Sequence, residues 1–443
     1  MVLLNGADAA DAWQIGQGGF RMDWDASDKN LLTFQGDLYG GETGGQPVFS
    51  PTPPFLSTTD ASVAGGNVLG RWTHQISEVS DLQVQLYYDR TERRIPDFFS
   101  EKRDTFDADV QHRFPWGQRQ DIVWGFGYRY TKDRVGNSFS VTVVPERRAT
   151  DLLSLFVQDE ITLQPNRLRM SLGSKFEHND FTGFEIQPNV RLLWTPGARH
   201  AVWAAVSRAV RTPTRLEHDT RLSIVAAPST PVTVVSVFGN PDFVSEELLA
   251  YELGYRLQPH PRLSLDIAAF YNVYDNLLSL EGPGRPQPSP PALVIPFTQA
   301  NKLRGDTYGV ELFANYHLAD WWRWQVGYTF LEIQLWPKPG SVDMVSEVVA
   351  EGSSPHHKVF WRSLMNLPAN IELDTVVGYT DALPGQNVNS YVALDVRLGW
   401  RPTENLELAV VGQNLLDNRH LEFSSSIPTE IQRGVYGKIT WRH

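Results

Sequence analysis

Glu217-His218-Asp219 sets two carboxylates beside an imidazole, a run of oxygen and nitrogen donors able to meet Ca²⁺ or a ferric chelate. Three polar residues in a long connection are also the make-up of a solvated loop, and that is the plainer reading. Arg211 comes just before them. In strand alternation it shares a face with Ser207, opposite Val206 and Val210. A guanidinium beside an apolar wall attracts anions, because the low dielectric strengthens its field. Pairing with a carboxylate such as Glu252 is its simpler fate. Arg211, Glu217, His218 and Asp219 are thus the candidate ligand contacts. His356-His357 has no third donor at metal-site spacing and reads as a solvated loop. Arg90, Arg93, Arg94, Lys102 and Arg103 form a basic patch suited to an anionic surface or an anionic chelate. Glu92, Asp97 and Glu101 dilute it, and a mixed-charge loop is the simpler description.

Nothing in the chain points to covalent catalysis. There is no P-loop, no GxGxxG opening a helix and no HExxH. Cys is absent, which removes thiolate metal sites, Cys nucleophiles and disulfides. No enzyme activity, resident metal or cofactor is expected. The formal net charge of -12 argues against nucleic acid, which needs clustered Lys and Arg.

The elements that carry these residues are strands. In 263–272, Leu263, Leu265, Ile267, Ala269 and Tyr271 share one face against Ser264, Asp266 and Asn272. Leu394, Val396, Leu398 and Trp400 oppose Asp395 and Arg397 in the same way. With 34 Gly and 29 Pro, breakers recur too often for long helices. About 19 such segments can be marked, roughly nine to fifteen residues long, enough to cross a bilayer at a tilt. They start near Asp11, Leu31, Asn67, Asp81, Arg103, Gln120, Asp151, Leu168, Phe184, His200, Leu248, Leu263, Phe297, Trp321, His356, Asn370, Asn389, Leu406 and Glu430. No run of about 18 apolar residues marks a membrane helix, but a barrel wall alternates and keeps its hydropathy low. The mean hydropathy of -0.30 fits that pattern.

The connections sort by parity. Every second one is tight, as at 27–30, 77–80, 164–167 and 401–405. The others are long or irregular, as at 42–66, 136–150, 215–247, 281–296 and 336–355. Short turns on one side and long loops on the other mark an outer-membrane barrel. Arg215–Glu247 is the longest connection, and a structureless loop of that length is usually functional or disordered. Trp13, Trp24, Trp116, Trp194, Trp321, Trp322, Trp324, Trp336, Trp361, Trp400 and Trp441 cluster toward strand ends, where amphipathic rings favour the membrane interface.

Eight stretches then resemble, in order, the barrel of the TonB-dependent outer-membrane receptors. They are Phe156-Val157-Gln158-Asp159-Glu160, Leu172-Gly173-Ser174-Lys175-Phe176-Glu177 and Pro188-Asn189-Val190 with Leu193-Trp194-Thr195-Pro196. Ser207-Arg208-Ala209-Val210-Arg211-Thr212-Pro213-Thr214 follows, and then Asn240-Pro241-Asp242-Phe243 with Tyr251-Glu252-Leu253-Gly254-Tyr255-Arg256. Phe270 to Leu277, Tyr308-Gly309-Val310-Glu311-Leu312 and Gly412-Gln413-Asn414-Leu415-Leu416-Asp417 complete the set. Most have barrel-building explanations. Asn276 and Asn414 suit turn conformations, and Glu252 and Glu311 suit the lumen.

The resemblance implies a Gram-negative outer-membrane receptor, a monomer, that takes up a scarce ligand, a ferric siderophore first of all. Outer-membrane lipid and lipopolysaccharide are its expected surroundings. TonB would act only through an N-terminal plug segment. The expected fold is all-β, a transmembrane antiparallel barrel of about 19 strands where such transporters have about 22, with the plug domain absent. Residues 1–443 read as one barrel, N-terminally incomplete by three strands, with no plug and no signal peptide. The last strand alternates Val435, Gly437, Ile439, Trp441 and His443, where such proteins end in Phe. A passive pore or structural barrel without a plug is the alternative, and a soluble all-β binding protein the second.

Overall fold

The computed structural model describes residues 2–3, 6, 8–227, 229, 231–289, 292–422 and 428–442. His443 lies outside them. Among the described residues, nineteen strands form the wall of one barrel. They are β1 (Trp13–Ser27), β2 (Asn30–Phe49), β3 (Leu56–Ser77), β4 (Ser80–Ile95), β5 (Phe99–Trp116), β6 (Gln120–Gly136), β7 (Arg147–Gln164), β8 (Leu168–Asn179), β9 (Gly183–Gly197) and β10 (His200–Arg211). The remainder are β11 (Glu246–His260), β12 (Leu263–Glu281), β13 (Ala292–Ala319), β14 (Trp322–Pro337), β15 (His357–Leu367), β16 (Ile371–Thr380), β17 (Tyr391–Thr403), β18 (Leu406–Gln413) and β19 (Gly434–Trp441). Each expected segment start falls on or beside one of these. The largest departure is β3, expected from Asn67 and found from Leu56.

Sequential wall strands pair antiparallel throughout, so β1 and β19 run in the same direction. Register follows the apolar alternation. Leu153, Leu155 and Val157 of β7, Leu249, Tyr251 and Leu253 of β11 and Ile267, Tyr271 and Val273 of β12 are exposed together on the outward face. Residues of the other parity point to the lumen, including Glu252 beside Tyr251 and Glu311 opposite Ala268. A slip of one residue would send every charge of a strand into lipid, which fixes the pairing. Tight turns close one end of the wall. Asn166, Ala369 and Asn370 take positive φ there (58°, 61° and 58°), as tight hairpins demand.

Aromatic residues mark two levels on the outward face. Trp24, Trp72, Trp194, Tyr316, Trp324, Trp400 and Trp441 lie toward the tight-turn end. Toward the loop end, Tyr88, Phe106 and Tyr130 are successive cross-strand partners, as are Tyr251, Tyr271 and Tyr308. Rings at both levels bracket the apolar band as interface anchors. Asn276 and Asn414 sit at φ 57° and 52°, where Asn is tolerated and a β-branched residue is not.

Two expected loops are built differently. The 42–66 segment continues the β2–β3 ladder through Thr43↔Ala61 to Phe49↔Leu56, so the hairpin stands well beyond the membrane. Thr and Val at these positions favour a pleated backbone even where lipid is absent. The 215–247 segment is not structureless. It holds a short helix, α1 (Arg215–His218), and a hairpin of Thr220–Ala227 with Val232–Phe238. The second hairpin strand pairs parallel with the start of β13, from Val232↔Ala292 to Phe238↔Thr298. The first pairs with a short strand, Val141–Val143. The packed apolar clusters lie in this region: Val48, Ala61 and Ile95 on one side and Val135, Val141 and Val143 on the other, bridged by Phe98 and Phe99.

Candidate functional site

Arg211, Glu217, His218 and Asp219 converge at the loop end of the lumen. Thr214 caps α1 with its hydroxyl accepting from the Leu216 amide at 3.1 Å. The Glu217 carboxylate reaches back to the Thr214 amide and hydroxyl at 2.9 and 2.5 Å, completing a capping box. Its other oxygen accepts from Arg211 at 2.9 Å. Arg211 also donates to Glu246 at 2.7 Å, so its partners are Glu246 and Glu217 rather than the expected Glu252. Glu252 lies six residues along β11, too far toward the membrane for the guanidinium to reach.

Asp219 is held by Arg148 at 2.8 Å, Arg215 at 2.9 Å and His218 at 2.8 Å. Arg215 further pairs with Asp133 on β6. The Arg148 guanidinium lies 4.5 Å over the Phe181 ring, and His218 meets the same ring edge-on. The loop is therefore tied to three wall strands by charge. Burial alone would raise the Glu217 carboxyl, but its bonds from Thr214 and Arg211 outweigh that and hold its pKa below the ordinary value. Asp219 follows the same logic, with His218, Arg215 and Arg148 overcoming burial. Gly239 closes the loop against this helix. A Cβ there would come within 2.9 Å of the His218 backbone, so glycine is required by the close approach.

The network backs a cavity of about 620 Å³. Thr214, Arg215 and Leu216 face it from the cap and first turn of α1, while Phe98, Phe99 and Phe181 come from hairpin tips. Arg103 and Arg129 reach it from β5 and β6. Arg103 holds Glu101 at 2.5 Å and Arg129 holds Asp107 at 2.7 Å, yet each arginine side chain stays about half exposed (48% and 54%). Each has five N–H donors, so several remain for a ligand. Arg211, Glu217, His218 and Asp219 stand around the cavity and are not among its lining residues.

Alternation alone assigns Arg103 and Arg129 to the lumen, so part of this site was readable from sequence. The Phe residues were not, because loop packing brings them in. The basic patch divides between faces. Arg93 and Arg103 take the lumenal parity, whereas Arg90, Arg94 and Lys102 take the outward one. His356 and His357 diverge: one meets Glu332 at 2.9 Å and the other the Tyr328 hydroxyl at 3.0 Å.

The TonB dependent receptor-like, beta-barrel family model matches residues 6–415. The pesticin receptor of Yersinia pestis is 27% identical over 194 residues, covering 40% of this chain. That match covers about a quarter (25%) of the relative's length. Among solved structures, the ferric enterobactin receptor of Pseudomonas aeruginosa aligns with a TM-score of 0.77 at 15% identity, covering 97% of this chain and 69% of that one. An iron transporter of Neisseria meningitidis aligns at 0.75 and 11% identity, covering 100% of this chain and 74% of that one. Family model and wall architecture agree: the chain belongs to the TonB-dependent receptors and carries their outer-membrane β-barrel.

Proposed function

We propose that this barrel serves the energy-coupled uptake of a ferric siderophore, which the loop-end cavity captures. The observation that carries the proposal is that cavity: two half-exposed arginine side chains, Arg103 and Arg129, beside the rings of Phe98, Phe99 and Phe181. A metal chelate presents polarised oxygens and flat apolar ligand arms. Guanidinium N–H groups suit the first and aromatic faces the second. Glu101 and Asp107 hold the two cations in place, which lowers the ordering cost of binding. Arg211, Glu217, His218 and Asp219 act in this reading as the brace of the capture site. Transport requires binding and gating, with no covalent step. Coupling to TonB through a plug segment belongs to the same proposal.

The test is binding of a panel of ferric catecholate, hydroxamate and phenolate siderophores to the folded chain in detergent, read by quenching of aromatic fluorescence. One class binds, and Arg129→Ala or Arg103→Ala weakens it about tenfold, as expected for a lost charge-assisted bond. Absence of binding by every class, or binding unchanged in both variants, refutes the assignment of the cavity.

A further inference from the structure

Glycine opposite an aromatic ring recurs on the inward face of the wall. A Cβ at Gly125, Gly254, Gly309 or Gly327 would run into Phe156, Trp203, Phe270 or Phe360 respectively. The missing side chain lets each ring lie over its cross-strand neighbour, a packing device of sheets. Three of these rings stand between neutral residues on the same face of their strand. Ser154 and Gln158 flank Phe156, Ala201 and Ala205 flank Trp203, and Ala268 and Asn272 flank Phe270. Phe360 differs, because Lys358 and Arg362 flank it on the inward face of β15.

Packing accounts for the ring and leaves the cations without a role. Among the described residues Lys358 and Arg362 have no ion-pair partner, and both are exposed. Lys358 shares its rung with Thr329 and Glu311, and Glu311, two strands away, makes no ion pair with it. Arg362 shares its rung with the neutral Gln325 and Asn315. Nearer the tight turns, Arg323 also has no ion-pair partner among the described residues. Asp374, two strands from Arg323, is engaged by Arg397 at 3.2 Å. Three cations therefore face one free carboxylate on this part of the wall.

Phe313 joins Phe360 on one rung, with Gly327 between them. The ring centroids are 6.3 Å apart and the planes are tilted by 39°. The two residues are 39% and 40% exposed, although the interior of such a barrel is polar. Along β13, Phe313 lies between Tyr308 of the upper aromatic level and Tyr316 of the lower, so the pair sits near mid-membrane. A low-dielectric wall strengthens the field of an unpaired cation there. At about 3.4 Å per residue, Lys358 and Arg362 stand about 7 Å to either side of Phe360 along the strand. Exposed rings between two free cations match a flat ring between two anions. A neutral aromatic would leave both cations unused, and a monoanion would leave one.

We infer that the inward face of β13 to β15 is a binding station for a flat aromatic dianion with its anionic groups at opposite ends. The ligand ring stacks on Phe360 beside Phe313. Lys358 takes the anionic group toward the loop end, and Arg362 the one toward the tight turns. The station requires only that this face lines the lumen. It rests neither on the loop-end cavity nor on the ligand that cavity takes, so either reading can fail alone.

The experiment uses the folded 443-residue chain in detergent, its fold checked by heat-modifiable mobility. The probe is naphthalene-2,6-disulfonate, its binding read by the anisotropy of its own fluorescence. Naphthalene-2-sulfonate binds about tenfold more weakly, for want of one charge-assisted bond. Lys358→Gln and Arg362→Gln each weaken the disulfonate about tenfold and erase its advantage over the monosulfonate. Phe360→Leu weakens both probes about fivefold, through the lost ring contact. Arg191→Gln removes a cation from the inward face of β9, Phe270→Leu removes another lumenal ring, and neither changes the binding. The two Gln variants carry the test if Phe360→Leu does not fold. Absence of disulfonate binding, equal affinity for the two sulfonates, or undiminished binding in both Gln variants overturns the station. Binding lost in Arg103→Ala/Arg129→Ala but kept in the β15 variants puts the probe in the loop-end cavity and overturns the station as well.

Discussion

A cation series on the outward face of β12 measures the membrane position of this wall. Ile267 lies midway between the Leu263↔Tyr316 rung, near the tight-turn end, and the Tyr271↔Tyr308 rung of the upper aromatic level. Four residues separate it from each. At about 3.4 Å per residue and a tilt near 45°, that places Ile267 roughly 10 Å along the membrane normal from either boundary. Ile267→Arg therefore puts a guanidinium near the midplane and should cost about 2–4 kcal/mol. Leu265→Arg lies roughly 5 Å nearer the interface and should cost about half as much, and Leu263→Arg about 0–1 kcal/mol. The mirror position in β17 is Val396, four residues above Trp400, and it should match Ile267. Ser264→Arg and Asp395→Asn, on the lumenal face, should change little because water remains accessible. Equilibrium unfolding in guanidinium from lipid vesicles reads all of these. A flat profile across Leu263, Leu265 and Ile267, or a lumenal penalty as large as the outward one, would refute the assigned faces and depth.

Other perturbations address the loop end. Glu217→Ala removes the capping box and half of the Arg211 pairing, and should cost about 1–3 kcal/mol of local stability, seen as faster amide exchange across 214–220 without a change in barrel melting. Arg148→Ala leaves the Asp219 carboxylate (side chain 5% exposed) short of a partner and should loosen the same segment, read as new protease cutting within 215–240. Because Glu217 and Asp219 have folded pKa values below their ordinary 4.5 and 3.8, their contribution is complete above those values and is lost as pH falls through the lower folded ones. Exchange protection in the α1 segment should accordingly be flat from about pH 8 to about pH 5 and fall below about pH 4. Gly239→Val should displace α1 and abolish that protection even at neutral pH, because its side chain would meet the His218 backbone.

The wall was legible because its physics is periodic. Leu394, Val396, Leu398 and Trp400 against Asp395 and Arg397 settle both the strand and its faces, and one bad register would bury every charge. The same period carries the membrane alternation of Val206, Ser207, Val210 and Arg211. The loops obey no such period. Nothing local in 42–66 says that a hairpin continues past the membrane, since Gly and Thr there also suit turns. The 215–247 segment hides a parallel strand whose partner, at Ala292–Thr298, lies some sixty residues away. Thr214 followed by Glu217 is a capping-box spacing and was the readable sign of α1. The cavity is the least legible feature, because Phe98, Phe99 and Phe181 come from hairpin tips that no pairing in the sequence joins.

β13 runs for 28 residues, where a tilted bilayer crossing needs about 9–11. More than half of it therefore stands in the medium outside the cell, still laddered to β12, β14 and the Val232–Phe238 strand. A protease can cut only backbone that leaves its hydrogen-bonded neighbours and enters the enzyme alone. Backbone zipped on both sides resists that, however exposed its side chains are. Cleavage by an external protease is thereby steered to stretches outside the strand ladders such as 285–286 and 339–345, and a chain nicked there keeps its ends held in the ladders. The surface this barrel shows to the outside can be cut and altered piecemeal while the wall beneath it stays whole.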